Sequence, residues 1–287
     1  MKFRSVILGA SALALLSVGS AKADGELFFY NWSNYFPPEL MEKFEKETGI
    51  KVTLDVYDSN ETMLAKLQAG ASGYDIAVAS DYMVDVMIKE GLATEIDAKD
   101  FENFKNVAKP HDTMKYDPDR KYSATYLWGT TGFTYDASAT DADMERSWKE
   151  FFEPRERMSA REVSMHMQWN GAAHRTKETI PEAVFVYPKE GLTYWSDHFV
   201  VPTGAPNLEN AKTFLNWMMK PENAAEASNY AGYMNSIKGS GEFMDPSMND
   251  DPAVNMPEEY ADLLIPGQNC SVKARDLRNR VWTKLKS

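Results

Sequence analysis

The chain has a single cysteine, Cys270, in 287 residues. No intramolecular disulfide can form, so its stability has to come from buried apolar surface. A chain of this length can bury enough for two domains. Histidine is almost as scarce. His111, His166, His174 and His198 are the only four, and no two stand at metal-ligand spacing. Met165-His166-Met167 has the residue types of a soft-metal site, but in a chain with 16 methionines it reads as ordinary apolar sequence. No phosphate-binding glycine loop, nucleophile elbow or zinc-protease helix occurs. No two acids are paired at a defined separation, as a glycosidase would require. These absences argue against an enzyme and call for no cofactor or metal. Internal repeats and low-complexity tracts are missing as well. Basic residues are outnumbered 31 to 43, for a net charge of −12. That balance disfavours nucleic acid and anionic membrane as partners and mildly favours cationic ligands.

Long hydrophobic runs are absent except at the N-terminus, where Lys2 and Arg4 precede an apolar stretch over 6–18 and Ala21-Lys22-Ala23. This is the pattern of a signal peptide over 1–23, cleaved near Ala23. The run is short for a membrane span. Export to the periplasm is expected, with no lipid anchor because no cysteine lies near the cleavage point. Loss of Lys2, Arg4 and Lys22 leaves 28 basic residues against 43 acidic, net −15.

Beyond residue 23 the chain alternates between strand and helix. Glu26-Leu27-Phe28-Phe29-Tyr30 reads as a buried strand. Pro38 opens a helix with Leu40, Met41 and Phe44 on one face and Gly49 as its stop. Residues 51–57 form a strand with Val52, Leu54 and Val56 inward. A helix over 60–69, a strand over 75–79 and a helix over 81–90 complete a βαβαβα order, which implies a parallel sheet covered by helices. Further on, 122–128 and 131–135 read as two strands at a domain crossing. Residues 208–219 and 272–285 read as helices, the latter with Ala274, Leu277, Val281 and Leu285 inward. Residues 239–257 read as loop.

Several short pieces combine aromatic, acidic and small polar residues: Trp32-Ser33-Asn34-Tyr35, Ser80-Asp81-Tyr82, Gln168-Trp169-Asn170-Gly171, Pro188-Lys189-Glu190-Gly191 and Trp195-Ser196-Asp197. Ring faces attract ammonium groups and pack against methylenes, while carboxylates fix the charged ends. Ligands of parallel sheets bind beyond the carboxyl ends of the strands. Trp32 and Tyr35 lie after the first strand, and Ser80 and Tyr82 after the third, so all four fall on one rim. The expected ligand is a flexible organic cation.

Taken in order, Tyr30-Asn31-Trp32-Ser33-Asn34-Tyr35, Lys46-Glu47-Thr48-Gly49-Ile50-Lys51-Val52, Asp58-Ser59-Asn60-Glu61-Thr62, Tyr126-Leu127-Trp128-Gly129-Thr130-Thr131 and Trp195-Ser196-Asp197 resemble the periplasmic spermidine/putrescine-binding proteins. The resemblance implies an α/β, two-lobed solute-binding protein, each lobe a mostly parallel sheet flanked by helices. It would be a monomer that closes on putrescine or spermidine and delivers it to an inner-membrane ABC permease. The first lobe would comprise 24–129 and 197–246, the second 130–196 and 247–287. The implied contacts are Trp32, Tyr35, Ser80, Tyr82, Glu162, Trp169, Trp195 and Asp197, with Tyr233 and Gln268 in loosely aligned surroundings. His198, beside Asp197, is expected to make affinity sensitive to pH near neutrality.

Two departures stand out. Ser159 occupies a position where the family has an aspartate, and Val163 is followed almost directly by Gln168-Trp169, where the family has a long helical and strand segment. Only 66 residues, 130–195, remain to build most of the second lobe, where about 100 would ordinarily be used. The alternative to a transport role is therefore a deletion form that has lost its ligand, or an interaction protein using the first lobe.

Overall fold

The computed structural model describes residues 25–70, 73–139, 145–152 and 165–268, together with 271, 273–274, 277, 280–281 and 284. β1 (Gly25–Trp32), α1 (Pro38–Thr48), β2 (Ile50–Tyr57), α2 (Asn60–Gln68), β3 (Ile76–Ser80) and α3 (Asp81–Lys89) occur in the expected order. Local chemistry sets their limits. Pro38 opens α1 where a missing N–H costs nothing, and Gly49 ends it in the left-handed region at φ 80°. At α2, Ser59 caps the start by accepting from the Thr62 amide. β1 pairs in parallel with β2 and with β3. Leu27, Phe29, Leu40, Phe44, Ile76 and Phe214 are buried in the large core between this sheet and its helices.

Two long strands carry the chain between the lobes. β4 (Ser123–Asp136) and β7 (Leu192–Val200) run antiparallel, and the first-lobe half of β7 also pairs antiparallel with β3. The two strands expected over 122–128 and 131–135 are thus one, with a register irregularity between Thr125 and Trp128. In the other half, β5 (Met165–Trp169) and β6 (Ala183–Val186) both pair antiparallel with β4, and only β9 (Leu264–Pro266) joins in parallel, on β7. On the first-lobe side β8 (Met234–Asn235) also pairs antiparallel with β4, so the parallel β1–β2 and β1–β3 pairs share that lobe with antiparallel ones, and the described part of the second lobe is mainly antiparallel. Among the described residues the second lobe's apolar clusters are small: one is built on Phe185, Tyr187, Leu192 and Ala253, another on Phe133, Met165 and Val186.

Three further details differ from the pattern reading. Val56 faces solvent and Tyr57 is buried instead, because the edge strand turns its last residue toward the ligand rim. Within 239–257 there is a short helix, α8 (Pro246–Asp250), where Met244, Met248 and Val254 pack on Ala225. Ala274, Leu277 and Val281 are exposed, so the expected inward face of the last helix is not buried; Leu285 lies outside the described residues. Periodicity identifies a helix face but cannot supply the surface that would cover it. Among the described residues no helix is long and apolar enough to cross a membrane.

Candidate functional site

A cavity of about 520 Å³ opens between the rim of the first lobe and the start of the second. Its floor is Asp197. The antiparallel register of β3 and β7 sets Ser80 directly opposite Asp197, and the Ser80 hydroxyl donates to Asp197 Oδ1 at 2.7 Å. Tyr35 Oη donates to Oδ2 at 3.0 Å. The carboxylate is 5 % exposed. Burial pushes its pKa up to about 6, against the pull of the Ser80 and Tyr35 donors, and Asp81 adds to the rise. No Lys, Arg or His among the described residues pairs with it. An ionised buried acid held by two hydroxyls but no cation is under-compensated, and a ligand ammonium would complete it.

The walls are aromatic. Trp32 ends β1 opposite Tyr57 at the end of β2, their rings 4.5 Å apart. Tyr57 Oη donates to the Val78 carbonyl, which holds its ring in place. Tyr35 meets Tyr126 and Tyr233 edge-on, and Tyr233 meets Trp195 likewise at 5.1 Å. Burial and the nearby Asp197 charge hold the Tyr35 hydroxyl far above its usual pKa, so it remains a donor. The indole N–H groups of Trp32 and Trp195 are buried with no acceptor among the described residues. Asn60 donates to both the Ser80 and Tyr82 hydroxyls, tying the second rim loop to α2. Trp169, which pairs with Thr131 at the crossing, leaves 57 % of its surface exposed at the mouth.

α5 (Asn170–Thr176) comes directly after Trp169 and brings the second lobe against the cavity. The buried Asn170 side chain accepts from the Thr130 amide and donates to the Ala253 carbonyl. Gly171 is what permits the close approach: a Cβ there would lie 2.5 Å from a Tyr233 ring carbon and 2.6 Å from the Gly232 carbonyl. Overpacking of this kind typically costs about 1–3 kcal/mol. Gly171→Ala is therefore expected to lower the melting temperature of the protein. An unchanged melt would show that the approach is not tight.

Eight of the ten expected contacts line this one cavity: Trp32, Tyr35, Ser80, Tyr82, Trp169, Trp195, Asp197 and Tyr233. Glu162 and Ser159 lie outside the described residues, as does Cys270. Gln268 is exposed and does not line the cavity. The acid of the Pro188–Gly191 piece is engaged elsewhere, since Glu190 accepts from Ser147 and from the Trp148 amide. Pattern reading missed Tyr57, Asp58, Asn60 and Arg175 as lining residues. Tyr57 was the most accessible of these, because a parallel register brings the end of β2 beside Trp32. Arg175 gave no signal beyond its place on the helix after Trp169.

His198 does not have the expected role. Successive residues of β7 alternate faces, so Trp195 and Asp197 face the cavity while Ser196 and His198 point away. His198 is buried between Arg120, 3.1 Å from Nδ1, and Ser196 Oγ, 2.9 Å from Nε2. Burial, reinforced by the Arg120 charge, holds its pKa well below the ordinary histidine value, so it is neutral across physiological pH. Among the described residues no group of three or more His, Cys, Asp and Glu side chains converges as a metal site.

Comparison with known proteins gives a consistent result. The sequence model for bacterial extracellular solute-binding proteins matches residues 39–161 and 154–257. The two segments overlap over 154–161, where the motif spacing is short. A spermidine/putrescine-binding periplasmic protein of Salmonella typhimurium is 31% identical, covering 88% of this chain and 90% of the relative. A putrescine-binding periplasmic protein of Pseudomonas aeruginosa is 29% identical over 360 positions, covering 97% of this chain and 98% of the relative. That span exceeds the 287 residues here, so the relative carries segments this chain lacks. Among solved structures, one from Listeria monocytogenes described as a putative spermidine/putrescine ABC transporter superposes with a TM-score of 0.83 at 27% identity, covering 91% of this chain and 98% of its own.

Proposed function

Since the chain belongs to the bacterial extracellular solute-binding protein family, whose members are transport components, we propose that it binds a polyamine, putrescine or spermidine, in the periplasm for delivery to an ABC importer. The observation that carries this reading is Asp197: a buried carboxylate with two hydroxyl donors and, among the described residues, no paired cation, at the floor of an aromatic cavity. One ammonium sits on Asp197, and the methylenes lie against Trp32, Trp195 and Trp169. Tyr35, Tyr233, Tyr82 and Ser80 provide polar edges. Glu162 is proposed as a second acidic contact, and Gln268 would reach the ligand only on closure of the lobes. The lobes meet where β4 and β7 cross, with the first comprising 24–129 and 197–246 and the second 130–196 and 247–287. Closure is a hinge motion about these strands, driven by the ligand's preference for the closed form. The protein acts as a monomer after cleavage near Ala23, and its closed face is read by the inner-membrane permease. Residues from both lobes line the cavity, so no observation favours the alternative of a chain that has lost its site.

Calorimetric titration with putrescine and spermidine across pH tests this. Alkylammonium groups titrate near 10, so between pH 5 and 8 only the protein changes charge. The ligand needs Asp197 ionised, and its pKa of about 6 in the free protein sets the window. Affinity should be constant above about pH 7 and weaken as pH falls through 6, approaching tenfold per unit. Binding near pH 6 should release protons. Absence of binding to either amine by the folded protein would overturn the reading, and affinity that rises on acidification would exclude Asp197 as the cation's partner.

A further inference from the structure

The cavity proposed to hold a cationic ligand contains a cation of its own. Arg175, near the end of α5, lines it together with Asp58, Asp197 and Tyr233. Its position is held from two sides. One guanidinium nitrogen donates to the Ala231 carbonyl at the end of α7 (Pro221–Ala231), and the guanidinium carbon lies 5.8 Å from the centre of the Tyr233 ring. A helix C-terminus and a ring face both favour a cation, but neither cancels its charge as a carboxylate would. The anionic pole is on the other lobe, where Asp197 is fixed by Ser80 and Tyr35. Tyr233 stands between the two, in van der Waals reach of Gly171 on one side and edge-on to Tyr35 and Trp195 on the other.

We propose that Arg175 is a specificity-determining residue that limits how much positive charge the ligand can carry. With one ammonium on Asp197, a second ammonium extending toward the second lobe meets a like charge. A neutral, acceptor-bearing end meets a five-donor fork instead. Arg175 thereby weights the site toward a linear amine with a single ammonium, such as a mono-N-acylated diamine, in opposition to the second acidic contact proposed at Glu162, which favours the parent diamine. Asp58 offsets this only weakly, because it is exposed and already accepts from Thr62 Oγ1 at 3.0 Å. The inference rests on the reading of the cavity as an amine site, and it adds a repulsive element to that site.

The test is titration of the wild-type protein, R175Q and R175K with putrescine and with N-acetylputrescine at low and high salt. R175Q should tighten putrescine about three- to tenfold, the scale of a partly screened like-charge contact, and weaken N-acetylputrescine, whose carbonyl loses the guanidinium donor. R175K keeps the charge and should stay near wild type with putrescine. Added salt should raise the putrescine-to-N-acetylputrescine affinity ratio of wild type relative to that of R175Q, because the attraction of the acidic protein for a dication is common to both and only wild type has the Arg175 repulsion to screen. If R175Q leaves putrescine unchanged, weakens it, or shifts both ligands alike, the inference is overturned while the amine reading stands. If no variant binds either amine, both fall.

Discussion

Asp197→Asn is expected to weaken putrescine binding by about 2–5 kcal/mol, the usual cost of neutralising one partner of a buried, hydrogen-bonded charge pair. That is roughly 30-fold at the low end and more than a thousandfold at the high end. Loss of any single aromatic should cost less, because a cation–π contact contributes about 0.5–2 kcal/mol. The effect on stability should have the opposite sign. Asp197 titrates near 6 in the folded chain, above the ordinary aspartate value of 3.8. The folded, ligand-free protein therefore gives up stability as pH rises from about 4 to 6, and that loss is complete at neutral pH. The asparagine variant escapes it and keeps an acceptor for the Ser80 or Tyr35 hydroxyl. At pH 7.5 its ligand-free melting temperature should equal or exceed that of wild type while its affinity collapses. A loss of affinity below about fivefold, or a larger loss from Trp32→Ala or Trp195→Ala, would remove Asp197 from the centre of the site.

The largest stability effect is expected at Arg120. It is 1 % exposed and holds a positive φ of 54°. Its guanidinium donates to the His111 and Thr113 carbonyls and to Ser123 Oγ, and it contacts His198 Nδ1. Asp117, also buried, accepts from the amides of Lys121, Tyr122 and Ser123 and from Ser123 Oγ. Together these groups join the loop before β4 to the back of β7, on the opposite face from Asp197. Arg120→Ala would leave the buried His111 and Thr113 carbonyls without this donor and remove the favourable Coulomb interaction between Arg120 and Asp117. Each buried acceptor left unsatisfied costs about 1–3 kcal/mol, and in a chain of this size the melt should fall by on the order of 10 °C. Arg120→Lys keeps the charge but not the planar fork and should fall between the two. A melt of Arg120→Ala within about 2 °C of wild type would show that the network is not structural.

Much of this molecule is set by local pattern. The order of the first six elements, the glycine stop of α1, the buried face of α6 (Leu208–Met218) and the rim formed by Trp32, Tyr35, Ser80 and Tyr82 all arise from residues a few positions apart. Periodicity, capping and strand ends are short-range properties, and they are legible wherever neighbours in sequence remain neighbours in space. The tertiary structure decided which groups face one another. Ser80 and Asp197 are 117 positions apart and meet only through the antiparallel register of β3 and β7. The same strand pairing turned His198 away from the ligand and toward Arg120, and the packing of α5 against α7 brought Arg175 into a cavity that composition would have left to carboxylates and rings. A one-residue change of register reverses which side chains share a face. The charges that define this site are therefore a property of long-range pairing, which the spacing of residues along the chain does not encode.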